Sequence, residues 1–288
     1  MYLCQVTIRE FFLHFHSELQ HVYDAGEVDA MWKWLIYDRL PEQKDVLRRD
    51  PSALIDGGML SVLKSDLDRL KSGEPFQYVM GYTDFRGLRL SVDKRVLIPR
   101  PETEEMVDSI VAQSDFHPEN IVDVCTGSGC IALALKKAYP SARVHALDKE
   151  QGALGLAARN SMSNGLNVEW RQKDILENDW HADLPDQTHL VVSNPPYVLA
   201  TEANSMHSSV LEFEPSVALF VPEEDALLFY RPIVNYAKRS LVPGGQLWFE
   251  INPLEADEMH KLIRSAGFRS AEILNDLSGK ARFARAVQ

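Results

Sequence analysis

From Asn120 to the end, strand-like runs of four to seven residues alternate with helical segments, and this alternation restricts the fold more than any other feature. Strands are expected over "IVDVC", "RVHALD", "VEWRQK", "LVVS" and "GQLWFEI". Helices are expected over "CIALALKKAY", "QGALGLAARNSMSN", "DALLFYRPIVNYAKRSL" and "LEADEMHKLIRSAG". Parallel strands need crossovers of this kind, so the pattern predicts an α/β fold with a mostly parallel sheet covered on both faces. The closing runs "FRSAEIL" and "RFARAVQ" stand too close together for a helical crossover, and an antiparallel pair at one sheet edge is expected.

The first 75 residues follow a helical period instead. Ile8, Phe11, Phe12, Phe15, Leu19 and Val22 mark one apolar face, and Val28, Met31, Trp32, Leu35, Ile36 and Leu40 a second. Leu60, Leu63, Leu67 and Leu70 supply a third, and a small bundle over residues 1–75 would bury all three. This module carries 9 basic and 13 acidic residues, which suits a protein partner better than a nucleic-acid backbone. Between Phe76 and Ile98 the pieces "FQYVMGY", "GLRLSV" and "RVLI" are β-prone, with Gly81, Gly87 and Asp93 as turn signals. A β-hairpin linker over 76–98 is therefore expected, leading to a domain over 99–288. In "PRPETEEMVDSIV" a helix is expected with Thr103 as its cap.

Charge and cysteine content exclude several function classes. Thirty Lys plus Arg against 42 Asp plus Glu give a formal charge of −12, which argues against broad backbone-driven nucleic-acid binding. Cys4, Cys125 and Cys130 suggest neither a disulfide framework nor a thiolate metal cluster. The opening "MYLCQVTIREFF" lacks the pattern of a secretion leader, and no apolar run approaches a membrane span; a cytoplasmic protein without membrane contact is expected. His145, His181, His189 and His207 show no metal-ligand spacing and are expected to be structural or exposed.

"DVCTGSGCIALAL", Asp123 to Leu135, places Gly127 and Gly129 at a strand-to-helix turn, where glycine lets a ligand approach the backbone. Nineteen residues beyond Gly129, at the next strand end, stands Asp148, suited to accept two hydrogen bonds from ribose hydroxyls. Glycines that only shape a turn, with Asp148 capping a helix, explain each residue alone. The shared spacing and strand context favour a nucleoside-bearing cofactor. Ala132 at the helix-packing position leaves a nicotinamide dinucleotide open, whereas the lysine and hydroxyl of a Walker loop are absent. After the fourth strand, "NPPY", Asn194 to Tyr197, sets an amide, two stiff prolines and an aromatic ring where open α/β sheets hold ligands; a tight turn and a pocket for a planar amide both fit.

"DVCTGSG", Asp148 and "NPPY" together resemble the class I S-adenosylmethionine-dependent methyltransferases, in particular those that methylate amino groups. With "PFQYVMGYTDFRGLRLSVDKRVLIPRPETE", "FEPSVAL", "LVPGGQLWFEI" and "DLSGKARF", the chain is similar to the HemK/PrmC family of protein-(glutamine-N5) methyltransferases acting on peptide-chain release factors. The resemblance is nearly complete from residue 75 onward and mainly architectural before it. It implies a Rossmann-like domain behind a helical substrate-recognition bundle. S-adenosylmethionine is the implied methyl donor and S-adenosylhomocysteine the product, with no metal. The implied cofactor residues are Asp123, Thr126, Gly127, Gly129, Asp148, Asp174, Asn194 and Arg100; the implied catalytic and substrate-binding residues are Asn194, Pro195, Pro196 and Tyr197. The implied target is the glutamine of the Gly-Gly-Gln loop of class 1 release factors, met by a monomeric enzyme. A ribosomal-protein glutamine, or less readily an adenine amino group of a nucleic acid, would suit the same motif. For Asp174 the alternative is to start the next loop or helix, and for Arg100 to pair internally with Glu102 or Glu104.

The residue types suit this chemistry. A carboxamide nitrogen is a feeble nucleophile because its lone pair is delocalised into the carbonyl. Transfer needs it held in line with the sulfonium methyl, with its developing positive charge met by acceptors. The Asn194 side-chain oxygen and the Pro195 carbonyl are expected to accept the two amide hydrogens, with Tyr197 covering the flat face. Glu250, ending the strand in "WFEI", is expected to orient the loop rather than act as a base. Three places depart from the family pattern, one of them "VPEEDALLFY", Val221 to Tyr230, where a glycine-bearing form is commoner and a Pro-Glu-Glu turn is sterically acceptable. Cys125 replaces a usual glycine, which is tolerable if its backbone angles are ordinary, and Asn252 replaces a glycine after Ile251 while still tolerating a left-handed turn. Without a basic partner, Cys125 is expected to pack rather than attack.

Overall fold

The computed structural model describes residues 6–40 and 50–288; Cys4 lies outside the described residues. These residues pack as two units, one formed by the described part of Met1–Gly81 together with Ser208–Phe213, the other by Tyr82–His207 with Glu214–Gln288.

The first unit is helical. Helices α1 (Ile8–Leu19), α2 (Ala25–Arg39) and α3 (Gly57–Lys71) each begin at a side-chain cap, with Thr7 and Glu10, and Asp24 and Glu27, forming reciprocal capping boxes. Their apolar stripes face inward, so that Phe11, Phe15, Leu19, Val28, Leu35, Leu63 and Leu70 are fully buried. Val22 lies past the end of α1 and is exposed. Contrary to its β-prone composition, Phe76–Met80 is a short helix, α4. Pro75 starts it and Gly81, at φ 81°, ends it in the left-handed conformation. Arg39 and Arg69 both donate to the Val79 carbonyl, and Arg69 also to that of Tyr78. These end signals and cationic donors outweigh the β preference of the side chains between them.

The second unit opens with the expected hairpin, β1 (Tyr82–Phe85) paired with β2 (Leu88–Ser91). Arg86 and Gly87 both take positive φ, the two-residue turn whose twist matches that of the strands. "RVLI" forms no strand. Helix α5 (Pro101–Val111) then precedes β3 (Asn120–Val124), α6 (Cys130–Ala138), β4 (Arg143–Asp148), α7 (Gln151–Asn164), β5 (Glu169–Gln172) and β6 (Thr188–Ser193). A short parallel pair, β7 (Val198–Leu199) and β8 (Phe220–Val221), precedes β9 (Leu241–Glu250), β10 (Ser270–Asn275) and β11 (Ala281–Val287).

The main sheet has seven strands in the order β10-β11-β9-β6-β3-β4-β5. β9, β6, β3, β4 and β5 are mutually parallel, while β11 runs antiparallel between β9 and β10. Strand alternation puts Val122 and Val124 against the helices Tyr230–Ser240 and Ala256–Ser265, and Ile121 on the opposite side against α5 and α6. From β3 the chain moves outward through β4 to β5, then returns to β3's other side as β6. The strand order therefore reverses at β3, and the carboxyl ends of β3, β4 and β6 border a crevice.

Candidate active site

That crevice is a cavity open to solvent. The fold brings Arg100, Thr126, Gly127, Asp148, Asp174, Asn194 and Pro196 to its wall, joined by Thr103, Cys125 and Phe229. Asp123, Gly129, Pro195 and Tyr197 do not line it.

Asp123 lies beneath the glycine turn, fully buried, and braces it from below. Its Oδ2 accepts from the Thr126 hydroxyl at 2.5 Å and the Ala132 N–H at 3.1 Å, while Oδ1 has no partner among the described residues. Burial pushes its carboxyl up to about 7, and the nearby Asp148 charge adds to this against the two hydrogen bonds. The two glycines of the turn do different work. A Cβ on Gly129 would stand 2.8 Å from the Trp170 ring and 3.1 Å from the Ala157 Cβ, at φ 82°, so this glycine serves packing rather than ligand approach. At Gly127 a Cβ would meet nothing within 4 Å, and it is this backbone that faces the cavity.

Gly127 N–H donates to Asp148 Oδ2 at 2.8 Å, and Glu150 N–H to Oδ1 at 3.0 Å. Asp148 does not cap α7, whose N-cap is Glu150. Each carboxylate oxygen keeps a further acceptor position, and burial raises the carboxyl above its ordinary range. Asp174 accepts from Leu176 N–H at 3.0 Å, starting a turn, and also lines the cavity. Arg100 pairs with neither Glu102 nor Glu104. Its guanidinium donates at 2.5 Å to the buried Glu214, which also accepts from Ile98 N–H at 3.0 Å. The carboxylate of "FEPS" thereby fastens the Pro-Arg-Pro segment from 114 residues away.

The loop after β6 is held by side chains. Asn194 Nδ2 donates to Thr103 Oγ1 at 3.2 Å, Thr103 Oγ1 donates to Glu250 Oε2 at 2.6 Å, and the Tyr197 hydroxyl donates to Glu250 Oε1 at 3.0 Å. Thr103 is therefore not a cap: α5 starts at Pro101 behind Arg100, and the threonine turns inward from the first turn. Tyr197 packs against the core with its hydroxyl on Glu250 instead of covering the cavity, because the buried carboxylate claims its only donor. Glu250 orients the loop as expected. Burial raises its carboxyl, opposed by the bonds from Thr103 and Tyr197 and by the charge of Arg282.

The backbone angles at the two substituted glycine positions differ. Cys125 takes φ 60°, a left-handed conformation costly for any residue with a Cβ. Burial, with Asp148 and Asp123 nearby, drives its thiol well up, so it remains protonated and non-nucleophilic. Asn252 is extended, at φ −67° and ψ 125°, and acts through its side chain. Its Oδ1 accepts from Leu254 N–H at 3.0 Å and its Nδ2 donates to Glu202 at 2.8 Å, tying down the chain after Tyr197. Glu214 and Asn252 gave no signal as site residues beyond their place in motifs, and Thr103 gave a misleading one.

The Methyltransferase small domain family matches residues 103–212. The release factor glutamine methyltransferase of Flavobacterium psychrophilum is 36% identical, covering 96% of this chain and 98% of its own length. That of Bacteroides thetaiotaomicron is 36% identical, over 93% and 96% respectively. The chain belongs to the release factor glutamine methyltransferase family. Among solved structures, the T. thermophilus 16S rRNA N2 G1207 methyltransferase, in complex with AdoMet and guanosine, superimposes with a TM-score of 0.52 at 15% identity, covering 72% of this chain and 49% of that one. A methyltransferase from Pyrococcus furiosus gives 0.50 at 16%, over 70% and 88%. At such identities these two bear on the fold alone, and they agree with a Rossmann-like α/β sheet.

Proposed function

We infer that this chain transfers a methyl group from S-adenosylmethionine to the side-chain amide nitrogen of the glutamine in the Gly-Gly-Gln loop of class 1 release factors. The observation that carries the reading is the state of Asn194 at the cavity wall: its amide nitrogen donates to Thr103 Oγ1 at 3.2 Å, and its Oδ1 has no hydrogen bond among the described residues.

The cavity fits the donor. Of the cations along its wall, Arg95, Arg100 and Lys173 are paired with Asp93, Glu214 and Asp183, and Lys149 is exposed. Asp148 and Asp174 thus present uncompensated negative charge, which favours a cationic ligand. Asp148 has acceptor capacity for ribose hydroxyls, Gly127 offers bare backbone, and Thr126 and Asp174 complete the polar wall. When bound, S-adenosylmethionine supplies a methyl group on a positively charged sulfur, so the protein needs no Lewis acid and no covalent intermediate. Asn194 Oδ1 and the Pro195 carbonyl take the two amide hydrogens of glutamine, and their attraction grows as the nitrogen gains positive charge. Glu250 accepts from two hydroxyls already and stays an orienting group, leaving the product proton to solvent.

The helical unit, with its acidic balance, recognises the release factor outside the methylated loop. We place the enzyme in the cytoplasm as a monomer; among the described residues no helix is long and apolar enough to cross a membrane. Labelled methyl transfer to equal concentrations of purified release factor, a glutamine-bearing ribosomal protein and an adenine-containing oligonucleotide tests the assignment. Preferential labelling of the release factor is expected, and labelling of either other substrate in its place would overturn it.

A further inference from the structure

Resting on the glutamine reading above, we propose that Thr103 and Glu250 are positioning residues that fix which way the Asn194 amide faces, by the polarity of a hydrogen-bond chain. An asparagine amide is nearly symmetric in shape, and in either flip it would fill its site equally well. Only one flip offers an oxygen to a substrate N–H. Some neighbouring group must break the tie.

The chain starts at Glu250, which accepts the Tyr197 hydroxyl on Oε1 and the Thr103 hydroxyl on Oε2. Burial raises its carboxyl, and these two bonds and the Arg282 charge oppose that. A hydroxyl has one hydrogen. With that hydrogen spent on Glu250 at 2.6 Å, Thr103 Oγ1 can only accept from its other neighbour. Asn194 must then turn its NH2 toward Thr103, as it does at 3.2 Å, which leaves its oxygen for the incoming amide. The three residues come from helix α5, the end of β6 and the end of β9, so the orientation is set by the fold and not by the loop itself. The reversed chain would put two N–H donors against the two N–H donors of glutamine.

Three variants test the relay, read by single-turnover transfer to full-length release factor, cofactor titration and nitrogen-labelled NMR of the Asn194 side-chain NH2. Thr103→Val removes the oxygen at constant shape. Glu250→Gln keeps the shape but supplies a donor, which lets the chain reverse. Both are expected to slow transfer by about 100-fold at saturating cofactor, the cost of a misplaced catalytic group. In both, the Asn194 NH2 protons lose protection from exchange, and Thr103→Ser recovers most of the rate lost in Thr103→Val. Wild-type transfer rates in both substitutions, or a serine variant no faster than the valine one, would overturn the relay. Should Thr103→Val fail to fold, Glu250→Gln decides alone by the same rate and exchange readouts. If the wild-type protein itself leaves release factor unmethylated while its Asn194 NH2 is protected, the substrate reading falls and the orientation by Thr103 stands.

Discussion

The turn after β3 and the loop after β6 sit side by side in the sheet, yet they are held in shape by opposite means. The first is built from backbone. Gly127 and Gly129 take left-handed angles, Gly127 N–H is fixed by Asp148, and Asp123 receives Thr126 and Ala132 from beneath. The second is built from side chains that arrive from elsewhere, with Thr103 and Glu250 reaching the Asn-Pro-Pro-Tyr loop across 91 and 53 positions of sequence. A donor-binding turn needs close approach and fixed N–H groups, which local backbone supplies. A group that must recognise a neutral amide needs its own dipole oriented, and only a packed polar network does that.

If this contrast is right, substitutions in the two regions separate into different readouts. The largest effect is expected for Asn194→Ala, which should lower single-turnover transfer by about 100- to 1000-fold while leaving cofactor affinity intact. A parallel loss of cofactor binding, seen by calorimetry, would merge the two regions into one.

Asp123→Asn probes the turn from beneath. The folded carboxyl sits near 7, above its ordinary 3.8, so the native state holds the proton more tightly than the unfolded chain does. That stabilisation is complete below about pH 4 and lost as the pH rises through about 7. Relative to Asp123→Asn, the wild type should therefore lose about 4 kcal/mol of stability across that window and change little above it. Denaturant titrations of both proteins at several pH values check this, and a constant difference would reject it.

Asp148→Ala should weaken cofactor binding by about 100-fold, two hydrogen bonds to a charged group, while the chemical step at saturating cofactor holds. Gly129→Ala should cost about 2 kcal/mol of stability through its contact with Trp170 and its backbone angle, whereas Gly127→Ala should cost about 1 kcal/mol through its backbone angle alone and also weaken cofactor binding. Thermal melts and titrations distinguish the pair. The smallest change expected is for Cys125→Gly, a gain of about 1 kcal/mol as the left-handed strain is relieved.

The same contrast explains what could be read from sequence. The strands, their parallel order and the antiparallel close were legible because short runs and helical periods are local signals. So were Gly127 and Asp148, whose relation is a spacing along one βαβ unit. The distinct duty of Gly129 was not, since it depends on where Trp170 packs. Thr103 looked like a cap because a threonine ahead of acidic residues usually is one, and nothing near it announces Glu250. Arg100 was matched to nearby acids when its partner, Glu214, comes from a distant motif. "FQYVM" shows the same limit in the helical unit: Gly81 was visible as a turn signal, but Arg39 and Arg69 reach its carbonyls only in the fold.

The central claim is that the crevice and the loop together methylate a carboxamide nitrogen. The most direct measurement incubates the wild-type protein with S-adenosylmethionine and full-length class 1 release factor, then maps the added methyl by peptide mass spectrometry. A single methyl on the glutamine side chain of the Gly-Gly-Gln loop is the expected result. A methyl on any other residue, or an unmodified release factor in the presence of cofactor-bound protein, would contradict the account.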